Sequence, residues 1–201
     1  MSERVQRPKA RAVDPIVDRK EVERLKEYML ESSKDRTIAL RNYMLVVIGV
    51  NFGLRASDLC RLKVGDVRDK DYLDIIEQKT KKRRVLRIND AIKKVIREYL
   101  DGFIFVSDAV YLFESGKGGY IQPRSLHKLI KSAGRHLGWR GNYGSHTLRK
   151  TMAYHVLQAN KADPDVLQHI MLMFNHSHES VTKRYLASSS VVDDCYDCLN
   201  L

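Results

Sequence analysis

Cysteine is scarce in this chain. Cys60, Cys195 and Cys198 are the three among 201 residues, an odd, thin count that fits a reduced intracellular compartment and argues against a disulfide framework. Cys195 and Cys198 form one C-x-x-C near the C-terminal end. A zinc site needs a second pair, and no βαβ pattern surrounds this one, which argues against a redox motif. Two cysteines on one face of a terminal helix is the better reading. Long apolar runs are missing too: none approaches the ~20 residues of a membrane span, so no membrane partner is expected. The first residues, MSERVQRPKARAV, hold no apolar stretch and do not read as a signal peptide. The run Ser115-Gly116-Lys117-Gly118-Gly119 lacks the residue order of a nucleotide-phosphate loop. His176-x-His178, with His169 and His146 elsewhere, has no Cys or carboxylate at ligand spacing, so neither metal nor cofactor is expected. There is no internal repeat and no low-complexity segment.

What the chain has in excess is positive charge. Lys and Arg number 36 against 25 Asp and Glu, a net charge of +11 and a pI near 9.6. That balance favours a polyanionic partner, nucleic acid first and an anionic membrane second. Apolar content of 43% and charged content of 30% are globular values, and the length suits one large domain or two small ones.

Residues 1–15 are basic and end in Asp14-Pro15; they read as a tail or linker remnant. Asp18 is placed to cap a first helix, with Glu21 completing a capping box. A second helix spans about 35–52, apolar all round at Tyr43 to Ile48 and therefore buried. Gly53 breaks it, Arg55 follows on the corner, and a short helix starts at Ala56 or Ser57. Residues 72–77 and 84–88 read as two strands. Between them, and counting the start of the second strand, five of the six residues from Lys79 to Arg84 are basic, a loop that repels itself unless it meets an anion. Helices follow at about 91–101 and 123–137, the latter basic on its outer face at Arg124, Lys128, Lys131 and Arg135. Ser145 is placed to cap a helix of 146–159, Asp163 another with Pro164 in its first turn, and 178–185 reads as a further short helix or turn. Val191, Val192, Cys195 and Leu199 give residues 188–201 an amphipathic pattern.

One stretch holds the candidate chemistry. His146 and Arg149 are i and i+3 on one helix face, and His176 and Tyr185 follow on separate short segments. A phenol is a poor nucleophile at neutral pH, with a pKa of about 10. It becomes useful where cations surround the group it attacks, and phosphate is the obvious such group. Arg55 and Arg149 offer planar forks suited to two nonbridging oxygens of a phosphodiester.

The runs GLRASDL (53–59), KTKKRRVLRI (79–88), His146-Thr147-Leu148-Arg149 and Asn175 to Tyr185 resemble, in order, the catalytic domain of the tyrosine recombinase (phage integrase) family. The resemblance covers about residues 16–190. It implies a mainly α fold with a small antiparallel β-sheet and a catalytic set of Arg55, Lys79, His146, Arg149, His176 and Tyr185. Tyr185 would attack phosphorus and form a 3′-phosphotyrosine, releasing a 5′ hydroxyl and conserving the bond energy without ATP. Lys79 would protonate that leaving oxygen, His146 would take or relay the tyrosine proton, and His176 would hydrogen-bond the phosphate. The two Arg supply the charge a metal would otherwise provide.

The implied partner is double-stranded DNA, contacted through Lys81, Lys82, Arg83 and Arg84 of the hairpin and Arg124, Lys128 and Lys131 of the basic helix. Domains are expected at 1–15 (tail), 16–187 (catalytic) and 188–201, the last packing on a neighbouring protomer. The expected location is cytoplasmic, at the nucleoid in a prokaryote. Where the family has Leu-Gly before its last His, this chain has Phe174-Asn175; Asn tolerates the left-handed backbone that Gly would supply. Family members also carry an N-terminal DNA-clamping domain, whereas 15 residues precede the first helix here, as in an excised domain or a naturally short protein. Two rival functions remain: a DNA-binding regulator on the same fold, and a topoisomerase-like nicking-closing enzyme.

Overall fold

The computed structural model describes residues 12–102 and 107–186. The expected terminal helix of 188–201 and the apolar run 103–106 lie outside them. Eight α-helices and one two-stranded sheet make up the described fold, in the order α1 (Arg19–Glu31), α2 (Arg36–Phe52), α3 (Ala56–Leu59), β1 (Tyr72–Ile76), β2 (Arg83–Arg87), α4 (Asp90–Asp101), α5 (Pro123–His136), α6 (Ser145–Ala159), α7 (Val166–Met173) and α8 (Glu179–Leu186). None of the described helices is long and apolar enough to cross a membrane.

α2 is the central post. Asp35 caps it by accepting from the amides of Thr37 and Ile38, and Gly53 ends it in the left-handed region at φ +53°. It packs against α1, α4 and α6, which is why its middle is apolar on every side and why Met44, Leu45, Val46 and Ile48 are fully buried. α6 comes so near that a Cβ on Gly49 would stand 2.5 Å from Leu148 Cδ1. Leu148 belongs to the main core around α2, while Met152 and Ala153, one turn on, belong to a smaller core with Val166, Ile170, Phe174 and Leu186. Arg149 sits at the seam between the two.

β1 and β2 pair antiparallel, Tyr72 opposite Arg87 through Ile76 opposite Arg83. Strand alternation turns Leu73 and Arg84 inward and leaves Tyr72, Asp74, Ile76, Arg83, Val85 and Arg87 outside. The loop closes through Glu77 N–H to Lys82 O and Lys81 N–H to Glu77 O, with Lys81 itself at φ +58°. A non-glycine residue thus takes the left-handed position that a tight turn usually gives to Gly or Asn.

Local contacts depart from expectation at several helix starts. Asp18 caps α1, but Glu21 does not complete a capping box. Its carboxylate pairs with Arg24 and accepts from Trp139 Nε1, 118 residues away. At α6 the closing hydroxyl is that of Thr147, which accepts from the Gly144 amide at 3.1 Å, and Ser145 is already inside the helix. Asp163 accepts from the Asp165 amide and pairs with His169 one turn before α7 proper. Residues 12–15, expected in the tail, belong to the domain: Asp14 and Pro15 are buried, and Asp14 exchanges hydrogen bonds with Asn142.

Candidate active site

Two helix C-termini build the floor of the site. α2 ends at Phe52 and Gly53, and α7 ends at Phe174; their last carbonyls have no intrahelical partner and carry the negative end of each helix dipole. Guanidinium groups take them up. Arg149 donates to Gly53 O at 2.6 Å and to Phe174 O at 3.2 Å. Arg84 donates to Phe52 O at 2.8 Å and Gly53 O at 3.4 Å. Arg55, on the corner just past Gly53, reaches Phe174 O at 3.5 Å. Three like charges share one pocket because acceptors separate them. The Phe174 ring adds to this, with the Arg149 Cζ 3.8 Å from its centroid. Arg149 is 2% exposed, and burial, then its cationic neighbour Arg55, moves its pKa down.

Phe174 also opens the turn that delivers His176. Asn175 N–H bonds to Leu172 O and His176 N–H to Met171 O, each at 3.0 Å, with Asn175 at φ +51°. This is a Schellman termination with Asn in the left-handed place, so the Leu-Gly to Phe-Asn departure leaves the turn intact. His176 Nδ1 is 3.0 Å from Thr182 Oγ1, which fixes the ring. Burial, then the charges of Arg149 and Arg55, pulls its pKa to about 4, so the imidazole is neutral at pH 7. Its unfolded form takes up a proton between pH 6.5 and 4 that the folded form refuses, so stability is lost as pH falls through that window. After discount for partial exposure, the loss is about 1–2 kcal/mol. Denaturant melts at pH 7 and pH 4.5 are expected to differ less for His176→Asn than for the parent chain.

Tyr185, on α8, lies over the same floor. Its ring meets Phe174 and His176 edge-on, centroids 5.5 Å apart in each case, and Lys150 Nζ is 5.4 Å from its centroid. The hydroxyl is buried without a well-aligned hydrogen bond. Burial drives its pKa to about 12, against the opposing pull of Arg149, Arg55 and Arg84. The resting phenol is therefore protonated and needs a base.

His146 and Lys79 complete the ring of polar groups from outside. Both are exposed. Desolvation first, then the charges of Arg149, Arg55, Lys79 and His127, lowers the His146 pKa, which leaves it a free base at neutral pH. α5 packs against α6. A Cβ on Gly144 would run into the His127 ring, so α5 runs against the start of α6. Arg124, Lys128 and Lys131 are exposed on α5, and Lys81 and Lys82 are exposed on the hairpin loop.

Two of the seven residues expected to touch DNA sit differently. Arg84 is 5% exposed; strand phase points it inward onto Phe52, Gly53 and Glu77, and it is removed from the DNA-contact set. Burial and the charge of Arg149 lower its pKa to about 10. Arg83 is outside but forked onto Asp74, with contacts of 2.5–3.1 Å. Asp58 accepts from the Gln78 amide at 2.9 Å and so anchors the loop beside Lys79. The partner of Arg55 is Glu77, Nη1 to Oε2 at 2.5 Å, a residue the motif reading passed over. Of the chain's other tyrosines, Tyr154 is buried within α6, while Tyr196 lies outside the described residues.

Known proteins resemble this chain in sequence and in fold. The family model described as "Phage integrase family" matches residues 16–190. The chain is 36% identical over 175 residues to a probable integrase/recombinase YoeC of Bacillus subtilis, covering 87% of this chain and 89% of that one. It is 32% identical over 193 residues to a tyrosine recombinase XerD of Caulobacter vibrioides, covering 92% of this chain and 61% of that one. A tyrosine recombinase XerC of Thermodesulfovibrio yellowstonii is 27% identical, and the chain spans 52% of its length. Among solved structures, a XerA recombinase aligns with a TM-score of 0.69 over 99% of this chain and 67% of that chain, at 23% identity. A XerH site-specific recombinase bound to palindromic difH substrate aligns with a TM-score of 0.70 over 93% and 53%, at 18% identity. At those identities the structural likeness speaks for the fold, and the sequence match carries the kinship: this chain belongs to the phage integrase family.

Proposed function

We propose that the protein is a site-specific DNA recombinase that cuts and rejoins strands through Tyr185, with no metal and no ATP. The observation that supports it most is convergence: Arg55, Arg149, His176 and Tyr185, from four segments, meet on the carbonyl and ring of Phe174. In this reading Arg55 and Arg149 turn guanidinium N–H groups to the nonbridging oxygens and stabilise the charge that grows at pentacoordinate phosphorus. The Tyr185 oxygen forms its bond to phosphorus as the bond to the 5′ oxygen breaks. The phenolic proton passes to His146, and Lys79 donates one to the leaving 5′ oxygen. His176, neutral and braced by Thr182, hydrogen-bonds the phosphate. The 3′ polarity follows from the family resemblance.

The DNA grip is assigned to Lys81 and Lys82 of the hairpin and to Arg124, Lys128 and Lys131 of α5. Phosphate contacts fix position without reading sequence. Lys81→Ala combined with Lys82→Ala is expected to weaken binding on any duplex and to flatten the slope of log K against log salt by about 2, measured by fluorescence anisotropy across a salt series. Residues 188–201 are assigned to contact between protomers on DNA, on the strength of their amphipathic pattern. The chain cut after Ala187 is then expected to sediment on its DNA target with fewer copies than the full chain. The work is placed in the cytoplasm, where the DNA is.

The test is covalent trapping in the presence of a chelator. A random-sequence library of nicked duplexes, whose cleaved 5′-hydroxyl fragment diffuses away, is incubated with the protein and denatured with detergent. Protein-linked DNA is expected. Tight sequence-selective binding with no linked DNA from any member points instead to a regulator. Linked DNA together with relaxation of supercoils but no exchange between two sites points to nicking and closing.

A further inference from the structure

Among the described residues, the buried side-chain polar atoms without a well-aligned hydrogen bond are Arg55 Nη1, Asp58 Oδ2, Glu77 Oε1, Arg84 Nε and Tyr185 Oη. All belong to the site or adjoin it. Native interiors pair the great majority of such atoms, so a cluster of exceptions calls for a reason. Misaligned bonding next to a proposed phosphate seat is understandable for Tyr185 and for Arg55, whose Nη1 lies 2.5 Å from a carboxylate oxygen without hydrogen-bond alignment. It is not obvious for a carboxylate.

Glu77 is 0% exposed. Its Oε2 lies 2.5 Å from Arg55 Nη1, accepts from Thr80 Oγ1 at 2.6 Å, and takes a longer contact from Asn175 Nδ2 at 3.4 Å. Its Oε1 faces Arg84 Nη1 at 3.8 Å. The partners come from separate places: Arg55 on the corner before α3, Thr80 next to Lys79 in the hairpin loop, Asn175 in the turn before His176, and Arg84 inside β2. A buried carboxylate is costly unless paired, and an apolar residue would serve a mere strand end better. Burial alone would raise the Glu77 pKa, but Thr80, Arg55 and Asn175 outweigh it and keep the group ionised. A glycine at 175 would make the turn at φ +51° equally well, yet could not reach Glu77.

We infer that Glu77 is a positioning residue for DNA cleavage: it holds the Arg55 fork and ties the Lys79 loop to the His176 turn, and Arg84 takes its charge when Arg55 turns to the scissile phosphate. The inference rests on the recombinase reading above. The Arg55–Glu77 contact is an ion pair without hydrogen-bond alignment, so the fork keeps donors to offer. Arg84 waits at 3.8 Å, about 1 Å beyond charge-assisted hydrogen-bond distance. Its closure would leave Glu77 neutralised while phosphate occupies Arg55. No proton moves and no covalent bond changes at Glu77 itself.

The experiment follows the single-turnover formation of covalent adduct on a nicked duplex selected with the parent protein, at saturating DNA. A side chain that only stabilises the fold changes how much protein reacts, not the rate constant of the molecules that do. Glu77→Gln is expected to lower the rate constant roughly 10- to 100-fold, with the reacting amplitude retained and DNA affinity within about twofold. An unchanged rate constant, with or without a smaller amplitude, overturns the inference. Should Glu77→Gln not fold, Thr80→Val and Asn175→Gly each remove one arm of the network and are expected to slow the rate constant about threefold; unchanged rates in both overturn it equally. A parent protein that forms no adduct refutes the recombinase reading, which the parent control separates from a failure of this inference alone.

Discussion

Tyr185→Phe is expected to abolish covalent linkage to DNA while leaving duplex affinity within about twofold. The substitution removes one oxygen, and that oxygen is buried with no well-aligned hydrogen bond. A buried hydroxyl held only by a misaligned contact to Arg149 supplies little net free energy. The variant should therefore be as stable as the parent, or up to about 1 kcal/mol more so, by denaturant unfolding. Loss of chemistry with no loss of stability is the signature of a nucleophile. Loss of both would make Tyr185 a packing residue against Phe174 and His176. The raised pKa, about 12, adds a condition: in the DNA-free protein the phenol does not ionise in the neutral range, so the base and the phosphate together must activate it.

Arg149→Ala is the second large effect, and it strikes stability and chemistry together. The guanidinium satisfies the terminal carbonyls of α2 and α7 and lies on the Phe174 ring. Its removal leaves Gly53 O and Phe174 O with only the long contacts from Arg84 and Arg55, opens a cavity between the two cores, and loses a cation–π contact of about 0.5–2 kcal/mol. Relief of repulsion with Arg55 and Arg84 offsets part of this. A net loss of about 2–4 kcal/mol is expected, read as a lower denaturant midpoint. Arg149→Lys keeps the charge but not the planar fork, so cleavage should still fall by a factor of about 100 to 1,000 in single-turnover adduct assays under conditions where the variant is folded.

Much of this site was legible because its residues carry local signals. Asp35 and Gly53 mark the two ends of α2 by their capping chemistry alone. The spacing of His146 and Arg149 places both on one end of α6, and Asn at 175 foretells a left-handed turn. What escaped was strand phase. Leu73, Ile75 and Glu77 alternate with outward residues, and Arg84 faces Ile75 across the ladder, so period two alone puts Glu77 and Arg84 on the inner side. Counting Arg84 among loop charges hid this. The Glu21 to Trp139 bond, by contrast, joins residues 118 apart, and no local pattern announces it. The shared floor was equally out of reach: that three Arg would gather on backbone carbonyls at two helix ends is a property of packing, not of spacing.

Trapped adduct from the parent chain, digested with trypsin and nuclease, gives the most direct test. Cleavage after Arg184 yields a peptide of residues 185–201, which carries both Tyr185 and Tyr196, so fragmentation by mass spectrometry must assign the nucleotide to one of them. A nucleoside 3′-phosphate on Tyr185, formed in the presence of a chelator, is the predicted result. A nucleotide on Tyr196, one linked through a 5′ phosphate, or an adduct that forms only when a divalent metal is supplied would contradict the mechanism.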